Sequence, residues 1–577
     1  MKSRKSTAKY RREIFKARSN LAMVLLALGT VLLVGRAVHL QVFNKAFLNE
    51  QAVARHLRVA KLSAHRGTIT DRRGEPLAVS TPVDSIWVRP RDLVAAPEYI
   101  PTLASTLGLN RESLTARLAR SAEKEFMYLK RHMNPADAEG IEQQQIPGVH
   151  ILREYRRYYP AGEIAGHLVG FTNIDDVGQE GLELAFDHAL QGRSGSKKVL
   201  KDRLGRVVED IESIDPPSNG RTVTTSIDLR IQYLAYRELK AMVQRSKAKS
   251  GSAVVLDIST GEVLAVVNQP TYNPNDRSQF SAARYRNRAI TDILEPGSSL
   301  KPLVLAAALE SESYKPNSSV NTSPGYIQVG AKRIEDKRNH GRIDLETILA
   351  RSSNVGATKI AMSLEPSDLW EVLSGFGLGR PSASGFPGES AGLLSHFDNW
   401  RPISQATLAY GYGVSLTPLQ LAQAYAVLGA GGLYRPVSLQ KVDQPPIARR
   451  VIQENTALTL LRMMETVISP KGTGLKAAVS GYRVAGKTGT TRKFATGGYS
   501  EDRYTAVFAG VAPVSNPRLA VAVVVDEPTQ GGYYGGDISA PVFAGIVSGT
   551  LRILAIAPDD FESLRNSSSV QVARAGE

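Results

Sequence analysis

The sequence predicts an α+β protein in which one N-terminal apolar helix precedes a β-rich region and a larger domain of helices packed against a mainly antiparallel sheet. Three observations support this prediction. A single unbroken apolar run occupies residues 21–35. Short β-like runs recur between residues 43 and 220. In the remainder of the chain, two runs typical of sheet core, residues 252–257 and 519–525, enclose mainly helical sequence.

The N-terminus has the charge pattern of a membrane anchor. Its first twenty residues contain eight Lys or Arg and a single acid, Glu13. The apolar run is short for a membrane span, but a helix continuing to about Val42 is long enough. Because basic flanks stay on the cytoplasmic side, we expect a cytoplasmic tail over residues 1–19, a transmembrane signal anchor over 20–42 and export of the rest. A cleaved signal peptide is the alternative, but no clear A-x-A site follows the run.

The first exported region is expected to span residues 43–220. It contains β-like runs at 76–80 and 85–88 and a helical patch near 110–145. A polar linker rich in Pro, Ser, Asn and Gly, residues 214–220, closes it.

The second exported region is expected to span residues 221–560. It begins with a strand-like run, 222–227, and a helical pattern, 229–243. The polar tail, residues 561–577, has the composition of a disordered segment.

Composition excludes several classes of site. The chain of 577 residues has no cysteine, which excludes disulfides and thiolate-bound zinc. Its nine histidines form no metal-binding motif, so no metal and no cofactor are predicted. Of the net charge of +16, +7 lies in the first twenty residues, where it sets topology, and no aromatic–basic pattern indicates nucleic-acid binding.

Ser298 and Lys301 form the first candidate catalytic motif, S-x-x-K. A serine hydroxyl needs a neighbouring base to act as a nucleophile. The sequence predicts a helix beginning near Ser298 with Pro302 in its first turn, which places Lys301 one turn away on the same face. A lysine in a poorly solvated pocket loses its proton and serves as a base. The motif alone is weak, because the same spacing recurs at Ser6, Ser121, Ser194, Ser246 and Ser438.

The second motif, Ser352-Ser353-Asn354, follows a helical run at residues 343–350. The Ser352 hydroxyl is suited to relaying a proton to a leaving amine, and the Asn354 amide to orienting the substrate and the lysine. An ordinary turn is the alternative explanation, since Ser and Asn are turn residues.

The third motif, at Lys487, has two interpretations. Residues 481–488 match the phosphate-binding pattern G-x-x-x-x-G-K-[ST], and Asp526 lies where a P-loop NTPase would have a magnesium-binding acid. That motif must open a helix, but β-branched residues and paired glycines follow Lys487, and only ninety residues remain in the chain. An exported protein also has no ATP supply. A P-loop NTPase is therefore the less favoured interpretation.

The favoured interpretation of the third motif is a strand at the edge of a cleft. Lys487 would supply charge, and the hydroxyls of Thr488 and Thr490 would hold a substrate carboxylate. Gly489 would allow a ligand backbone to approach closely. Backbone N–H groups of Ser298 and Thr490 would form an oxyanion hole.

The three motifs, in this order, resemble the set found in penicillin-binding proteins and related β-lactamases. The chain as a whole resembles the class B penicillin-binding proteins, the monofunctional peptidoglycan transpeptidases, and is most similar to their septal, FtsI-type members. The resemblance reaches from the anchor to about residue 556, with no recognisable pattern between Arg492 and Arg503. Further matching segments lie at residues 66–74, 157–171, 178–183, 256–265, 272–275, 385–389, 410–413 and 533–536.

The resemblance implies an architecture and a location. Residues 43–220 would be an elongated, β-rich pedestal of the dimerisation type, and residues 221–560 the transpeptidase domain, with an antiparallel sheet flanked by helices. The protein would be a single-pass protein of the bacterial inner membrane, with a periplasmic catalytic domain enriched at the septum. Its partners would be a membrane-embedded glycan polymerase of the divisome and other division proteins.

The resemblance also implies a reaction. Ser298 would attack the D-Ala-D-Ala carbonyl of a peptidoglycan stem peptide, and an amine from a neighbouring stem would resolve the acyl-enzyme into a cross-link. Ligands would be stem peptides, lipid-linked precursor strands and β-lactam antibiotics. A β-lactamase, a D,D-carboxypeptidase and a β-lactam sensor share this chemistry, and an elongation-type or conditional paralogue shares the whole architecture.

Overall fold

The computed structural model describes residues 4–45, 57–62, 64–201, 207–276, 278, 281–495 and 498–561. Helix α1 (Arg4–Val38) continues as a π-helical turn over His39–Phe43. The stretch Phe15–Phe43 is long and apolar enough to cross a membrane, and its most apolar part is not buried against the rest of the protein. The apolar helix expected to continue to about Val42 is therefore confirmed. Apart from Phe561, the tail expected to be disordered lies outside the described residues.

Two sheets make up the pedestal region. Its strands are β1 (Leu57–Leu62), β2 (Ile69–Thr70), β3 (Pro76–Val88), β4 (Met127–Met133), β5 (Val149–Tyr158), β6 (Gly195–Lys201) and β7 (Val207–Asp215). Strands β1, β6 and β7 form one antiparallel sheet. The long β3 lies beside β2 in the other sheet and pairs with both β4 and β5. The β-rich character predicted for this region is confirmed.

The prediction of a helical patch near residues 110–145 is wrong for the middle of that range. Helices lie on either side, but β4 runs between them. Leu129 and Met133 of β4 are buried while Lys130 is exposed, and Trp87 of β3 pairs with Tyr128. Cross-strand pairing has overridden the local helical preference. The pedestal helices are α2 (Pro90–Val94), α3 (Ile100–Leu107), α4 (Arg111–Arg120), α5 (Pro135–Glu142), α6 (Gly166–Val169), α7 (Gly181–Ala185) and α8 (Asp187–Leu190).

The catalytic domain is built on a five-stranded, wholly antiparallel sheet. Its strands are β9 (Ser250–Asp257), β10 (Val263–Gln269), β17 (Ala485–Ala495), β18 (Gly498–Ala512) and β19 (Leu519–Asp526). They lie in the order β10-β9-β19-β18-β17. Both runs predicted to be sheet core, 252–257 and 519–525, are central strands. The predicted antiparallel α+β fold is confirmed.

Helices cover both faces of this sheet. In β9, Ala253 and Val255 face α9 (Leu229–Arg245) and α19 (Gly535–Ile553), whereas Val254 and Leu256 face the remaining helices. Because alternate residues of a strand point to opposite faces, a strand covered on both sides must be apolar throughout, and all eight residues of β9 are buried.

Most of the remaining helices of this domain pack on the face opposite α9 and α19, and the three sequence motifs lie among them. They are α10 (Ala282–Tyr285), α11 (Arg288–Thr291), α12 (Lys301–Glu310), α13 (Leu345–Arg351), α14 (Asn354–Met362), α15 (Pro366–Gly375), α16 (Pro402–Leu408), α17 (Pro418–Gly429) and α18 (Glu454–Glu465). Short strands join some of them: β11 (Ser319–Asn321), β12 (Tyr326–Val329), β13 (Lys332–Glu335), β14 (Arg342–Asp344), β15 (Leu433–Tyr434) and β16 (Arg449–Arg450). A further short strand, β8 (Val223–Thr224), pairs in parallel with β2 of the pedestal.

Candidate active site

Ser298 lies in a 3₁₀ turn, Gly297–Leu300, that leads directly into α12. Pro302 occupies the first turn of α12, where its missing N–H leaves no hydrogen bond unmade. Ser298 is half-buried, while Lys301 is fully buried one turn away. The helix start predicted from the sequence is confirmed.

The Lys301 ammonium group contacts the second motif through three oxygen atoms. Its Nζ donates to the carbonyl oxygen of Ser352 at 2.6 Å and to Asn354 Oδ1 at 2.8 Å, and it lies 3.2 Å from Ser352 Oγ. These contacts fix the side chain at the base of the cleft.

Ser352 lies between two helices in an uncommon backbone conformation. It ends α13 with φ of +58°, in the left-handed region, and its neighbour Ser353 caps α14 by accepting a hydrogen bond from Gly356 N at 2.9 Å. This reversal brings Ser352 and Asn354 to the same side of the loop, where both contact Lys301.

The third motif lies on β17, at the edge of the sheet. Lys487 is fully buried, and its Nζ donates to Ser352 Oγ at 3.0 Å and to the Thr488 carbonyl at 3.1 Å. The Thr488 hydroxyl lies 2.7 Å from that of Thr473, and the Thr490 hydroxyl accepts a hydrogen bond from the backbone of Gly535. All three motifs therefore meet in one place.

Gly489 is required by the fold itself. A Cβ atom at Gly489 would lie 2.5 Å from the carbonyl oxygen of Pro296, so the absence of a side chain allows the turn that carries Ser298 to pack against β17. The sequence suggested a close approach by a ligand, whereas the close contact observed is made by the protein's own backbone.

The geometry around Lys487 excludes a phosphate-binding loop. Beyond Lys487 the chain continues as a strand to Ala495, paired with β18, and no helix begins there. Asp526 is 2.7 Å from the ammonium group of Lys493. The arrangement needed to hold a nucleotide phosphate at a helix N-terminus is absent from this described part of the chain.

Burial lowers the pKa of both lysines. Burial, with the nearby charge of Lys487, lowers the pKa of Lys301 well below its ordinary value, although Asp336 opposes the shift. Burial lowers the pKa of Lys487 to about 7. Burial therefore favours the neutral form of both amines.

The motifs surround a cleft of about 670 Å³. Five predicted residues line it, namely Ser298, Ser352, Asn354, Thr488 and Thr490, while Lys301 and Lys487 lie buried behind them. The sequence did not indicate several other lining residues: Asp336, Lys337, Arg351, Lys471, Thr473 and Asp537. None belongs to a short motif, so only the folded chain reveals them. No cluster of three or more His, Asp or Glu side chains suited to a metal occurs in the described residues.

Family comparisons assign both parts of the chain. Residues 61–225 match the penicillin-binding protein dimerisation domain, and residues 251–548 match the penicillin-binding protein transpeptidase domain. The chain therefore belongs to the class B penicillin-binding proteins, and it is a transpeptidase of that family.

Individual relatives are similar along almost their whole length. The peptidoglycan D,D-transpeptidase FtsI of Escherichia coli is 44% identical over 541 residues, covering 93% of this chain and 91% of the relative. A probable peptidoglycan D,D-transpeptidase of Pseudomonas aeruginosa, PbpC, is 40% identical over 94% of this chain and 96% of its own.

Solved structures extend the similarity to three dimensions. The apo transpeptidase domain of Burkholderia pseudomallei penicillin-binding protein 3 is 44% identical, with a TM-score of 0.54, and the match covers 58% of this chain and 97% of that domain. A peptidoglycan synthetase from Bifidobacterium adolescentis is 25% identical, with a TM-score of 0.69, over 87% of this chain and 98% of that protein.

Proposed function

We propose that this peptidoglycan D,D-transpeptidase cross-links stem peptides during septal cell-wall synthesis, through an acyl-enzyme formed on Ser298. The observation that carries the proposal is the buried Lys301 amine. It lies one turn from Ser298 and is held by Ser352 and Asn354, in a place where burial favours its neutral form. A serine nucleophile requires a neighbouring general base, and a neutral amine one turn away can serve as that base.

In the acylation step, Ser298 Oγ attacks the carbonyl carbon of the penultimate D-Ala and transfers its proton to Lys301 Nζ. The backbone N–H groups of Ser298 and Thr490 stabilise the oxyanion that forms. The C–N bond then breaks, and the leaving D-Ala nitrogen takes a proton through Ser352. This relay is supported by the position of Ser352 Oγ, which lies 3.2 Å from Lys301 Nζ and 3.0 Å from Lys487 Nζ.

In the second step, an amine from a neighbouring stem attacks the ester carbonyl and returns a proton to Ser298 as the ester bond breaks. The amide bond formed is the cross-link. Lys487, Thr488 and Thr490 would hold the terminal carboxylate of the donor, with Gly489 keeping the strand close to the nucleophile. Thr488 and Thr490 line the cleft, and the buried Lys487 amine lies behind them, 3.1 Å from the Thr488 carbonyl.

The acyl-enzyme assignment is tested by mass spectrometry after treatment of the full chain with penicillin. The expected result is a single adduct on the peptide that contains Ser298, and no adduct in Ser298→Ala. An adduct that maps elsewhere, or that persists in Ser298→Ala, contradicts the assignment.

A hydrolytic function is less well supported, because a β-lactamase or carboxypeptidase must activate water for deacylation. Three carboxylates line the cleft, and each already has a partner. Asp537 is 2.8 Å from Lys476, Glu335 is 3.4 Å from Arg333, and Asp336 binds the Ser353 hydroxyl. We therefore expect a long-lived penicilloyl adduct. Rapid release of hydrolysed antibiotic in a stopped-flow assay would favour the hydrolase instead.

The anchor and pedestal support a role at the membrane. We infer an N-terminus in the cytoplasm, a catalytic domain in the periplasm and docking onto a membrane-embedded glycan polymerase of the divisome. Tethering to the polymerase would raise the local concentration of the transpeptidase where new strands emerge. Phe15–Phe43 supplies a candidate membrane span, and the basic residues that precede it favour this orientation.

The septal role is tested by replacing residues 1–42 with an unrelated single-span anchor and imaging cells that depend on the variant. Loss of septal recruitment, with penicillin acylation retained, is the expected result. Normal recruitment and full rescue of division would refute a specific role for the anchor. Depletion of the protein in its native host distinguishes a septal enzyme from an elongation-type or conditional paralogue. Division should stop only if the depleted protein is the septal enzyme.

A further inference from the structure

The cleft that contains the three motifs is lined by more positive than negative side chains. Three carboxylates line it, and five lysine or arginine side chains do so: Lys337, Arg338, Arg351, Lys471 and Lys476. All three carboxylates have partners within the protein. Lys476 is one of these partners, 2.8 Å from Asp537, and Lys337 Nζ lies 4.1 Å from the centre of the Tyr534 ring. The other cations give the cleft a positive charge that no carboxylate among the described residues neutralises.

Arg351 differs from the other cations of the cleft because it is partly buried. It lies in the last turn of α13, directly before Ser352. Within the described part of the chain, its guanidinium group forms no ion pair and no hydrogen bond. The dipole of α13 favours a positive charge at this end of the helix, which is a purely structural explanation for a cation here. That explanation leaves the guanidinium donors without an acceptor, although donors withdrawn from water usually have one.

Arg351 and Lys471 lie next to the groups that would hold the donor. The Thr473 hydroxyl is 2.7 Å from that of Thr488, so the loop that carries Thr473 continues the cleft beyond β17. Lys471 is exposed in this loop and has no ion pair with any described residue. Thr488 would hold the carboxylate of the leaving D-Ala, and Ser352 would protonate its nitrogen. The two cations therefore border the leaving-group end of the cleft.

The incoming acceptor uses this same end of the cleft. Its amine attacks the ester carbonyl that the D-Ala nitrogen has left, so the bond formed in the second step is the counterpart of the bond broken in the first. A stem peptide is acidic, with a C-terminal carboxylate and further carboxyl groups along its chain. Only one of these can replace the D-Ala carboxylate at Thr488, so the others are available to cations nearby.

We propose that Arg351, assisted by Lys471, forms a subsite for a carboxylate of the acceptor stem peptide, which makes an acidic peptide a better acceptor than a small amine or water. This inference rests on the proposed transpeptidase function and adds the residues that recognise the second substrate. A guanidinium group presents two parallel N–H donors that match a carboxylate. Lys471 is exposed and contributes a charge that salt screens.

The test measures transfer from one donor to three acceptors, with the full chain. A thioester analogue of the D-Ala-D-Ala donor acylates the enzyme, and release of the thiol gives the acylation rate. Mass spectrometry of the products gives the share transferred to acceptor or to water at each acceptor concentration. The acceptors are D-alanine, an acidic stem tetrapeptide that contains diaminopimelate, and the same tetrapeptide with its terminal and glutamyl carboxyl groups amidated.

Two substitutions at Arg351 are compared with a matched control. Arg351→Gln removes the charge, whereas Arg351→Lys keeps the charge and loses the planar fork of donors. The control is Arg462→Gln, because Arg462 is also a cation in the last turn of a helix, α18, and does not line the cleft. Both glutamine variants should lower the unfolding temperature to a similar small degree, since each loses a favourable contact with a helix dipole.

We expect Arg351→Gln to raise the apparent KM for the acidic tetrapeptide about tenfold, as for loss of a hydrogen bond to a charged group. The apparent KM for the other two acceptors and the acylation rate should stay at their wild-type values. Arg351→Lys should fall between Arg351→Gln and the wild type, and Arg462→Gln should match the wild type. Added salt should raise the KM for the acidic tetrapeptide more in the wild type than in Arg351→Gln, because the variant has less charge to screen.

An unchanged KM for the acidic tetrapeptide in Arg351→Gln would overturn the subsite, as would an equal rise for all three acceptors or an equal rise in Arg462→Gln. A loss confined to the acylation rate would place Arg351 in the donor site and would also overturn it. Failure of the proposed function gives different results. An adduct in Ser298→Ala refutes the acyl-enzyme, and transfer to water alone by the wild-type enzyme refutes cross-linking and the subsite with it.

Discussion

Arg66 in the pedestal and Lys301 in the catalytic domain are both withdrawn from solvent, with exposed fractions of 3% and 0%. Their surroundings differ. Arg66 contacts Glu183 at 2.6 Å and Asp187 at 2.7 Å, and the buried Arg157 contacts the other oxygen of Glu183 at 2.5 Å. Burial opposes the charge of Arg66, but these carboxylates raise its pKa above its ordinary value.

Lys301 and Lys487 have no carboxylate within ion-pair distance among the described residues, and their contacts are hydroxyl, amide and carbonyl oxygens. A buried charge without an opposite charge gives up its proton readily. The same physical cost therefore produces two outcomes. The pedestal pairs its buried Arg66 and Arg157 with a carboxylate, whereas the catalytic domain leaves Lys301 and Lys487 without one, which favours their neutral forms.

The largest effect is expected for Lys301→Met, which tests whether Lys301 serves the reaction and not, like Arg66, the stability of the fold. We expect the acylation rate constant for penicillin to fall by about 10²–10⁴-fold, the contribution of a general base. The unfolding temperature should be unchanged or higher, because an amine that is costly to bury has been replaced by an apolar chain of similar length. Stopped-flow acylation and thermal unfolding of the same preparation give both quantities. A large loss of stability would mean that Lys301 is a structural residue like Arg66.

The opposite result is expected for Glu183→Gln in the pedestal. This change leaves Arg66 and Arg157 buried without their shared partner, and breaking a buried pair in this way costs about 3–5 kcal/mol. Hydrogen exchange of the pedestal strands should show the loss of stability. The acylation rate constant should stay at the wild-type value in molecules that remain folded, since Ser298 lies in the other domain. A loss of acylation equal to that of Lys301→Met would contradict the separation of the two roles.

The pH dependence of penicillin binding should distinguish the two lysines from each other. The acylation rate constant should rise with pH as Lys301 loses its proton, because only the neutral amine accepts the proton of Ser298. Affinity for a β-lactam carboxylate should fall as pH rises through about 7, because burial lowers the pKa of Lys487 to that value and the charge is then lost. Stopped-flow titrations measure both.

Lys487→Arg is the control for this prediction, since arginine keeps its charge throughout the range. The affinity of Lys487→Arg for the β-lactam should be independent of pH, even if it is lower than that of the wild type. An affinity that does not change with pH in the wild-type enzyme would show that Lys487 stays charged in its pocket.

The parts of the site that are local in the chain are predictable from the sequence. The one-turn spacing of Ser298 and Lys301 follows from helix geometry, and the apolar runs in β9 and β19 indicate strands buried on both faces. The β-branched residues after Lys487 correctly argued against a helix there. In each case the information lies within a few residues of the feature.

Contacts between residues that are distant in the chain are not predictable in this way. Asp336 precedes Asn354 by eighteen residues, and nothing in its neighbourhood marks it as a cap for α14. The turn that packs on Gly489 is likewise distant in sequence. The sequence predicts helix where β4 lies, because the pairing partner of β4, strand β3, lies about forty residues away. Such contacts depend on tertiary packing and leave no periodic signal.

The smallest effect is expected at Asp526, the residue that resembles a nucleotide-site acid. Its carboxylate pairs with Lys493 at 2.7 Å and accepts a hydrogen bond from Thr505 at 3.1 Å, at a partly exposed sheet end. Asp526→Asn should therefore change stability by about 0.2–1 kcal/mol, as exposed pairs do, and leave acylation unchanged.

An equilibrium titration with labelled ATP and Mg²⁺ should detect no binding to wild-type protein, because β17 continues as a strand where a phosphate loop would open a helix. Saturable, Mg²⁺-dependent binding that Asp526→Asn and Lys487→Ala both abolish would establish a nucleotide site. If no nucleotide binds, Lys487→Ala should only weaken acylation by β-lactams, as expected for an unpaired buried lysine that binds substrate. The paired Lys493, in contrast, contributes to the stability of the sheet.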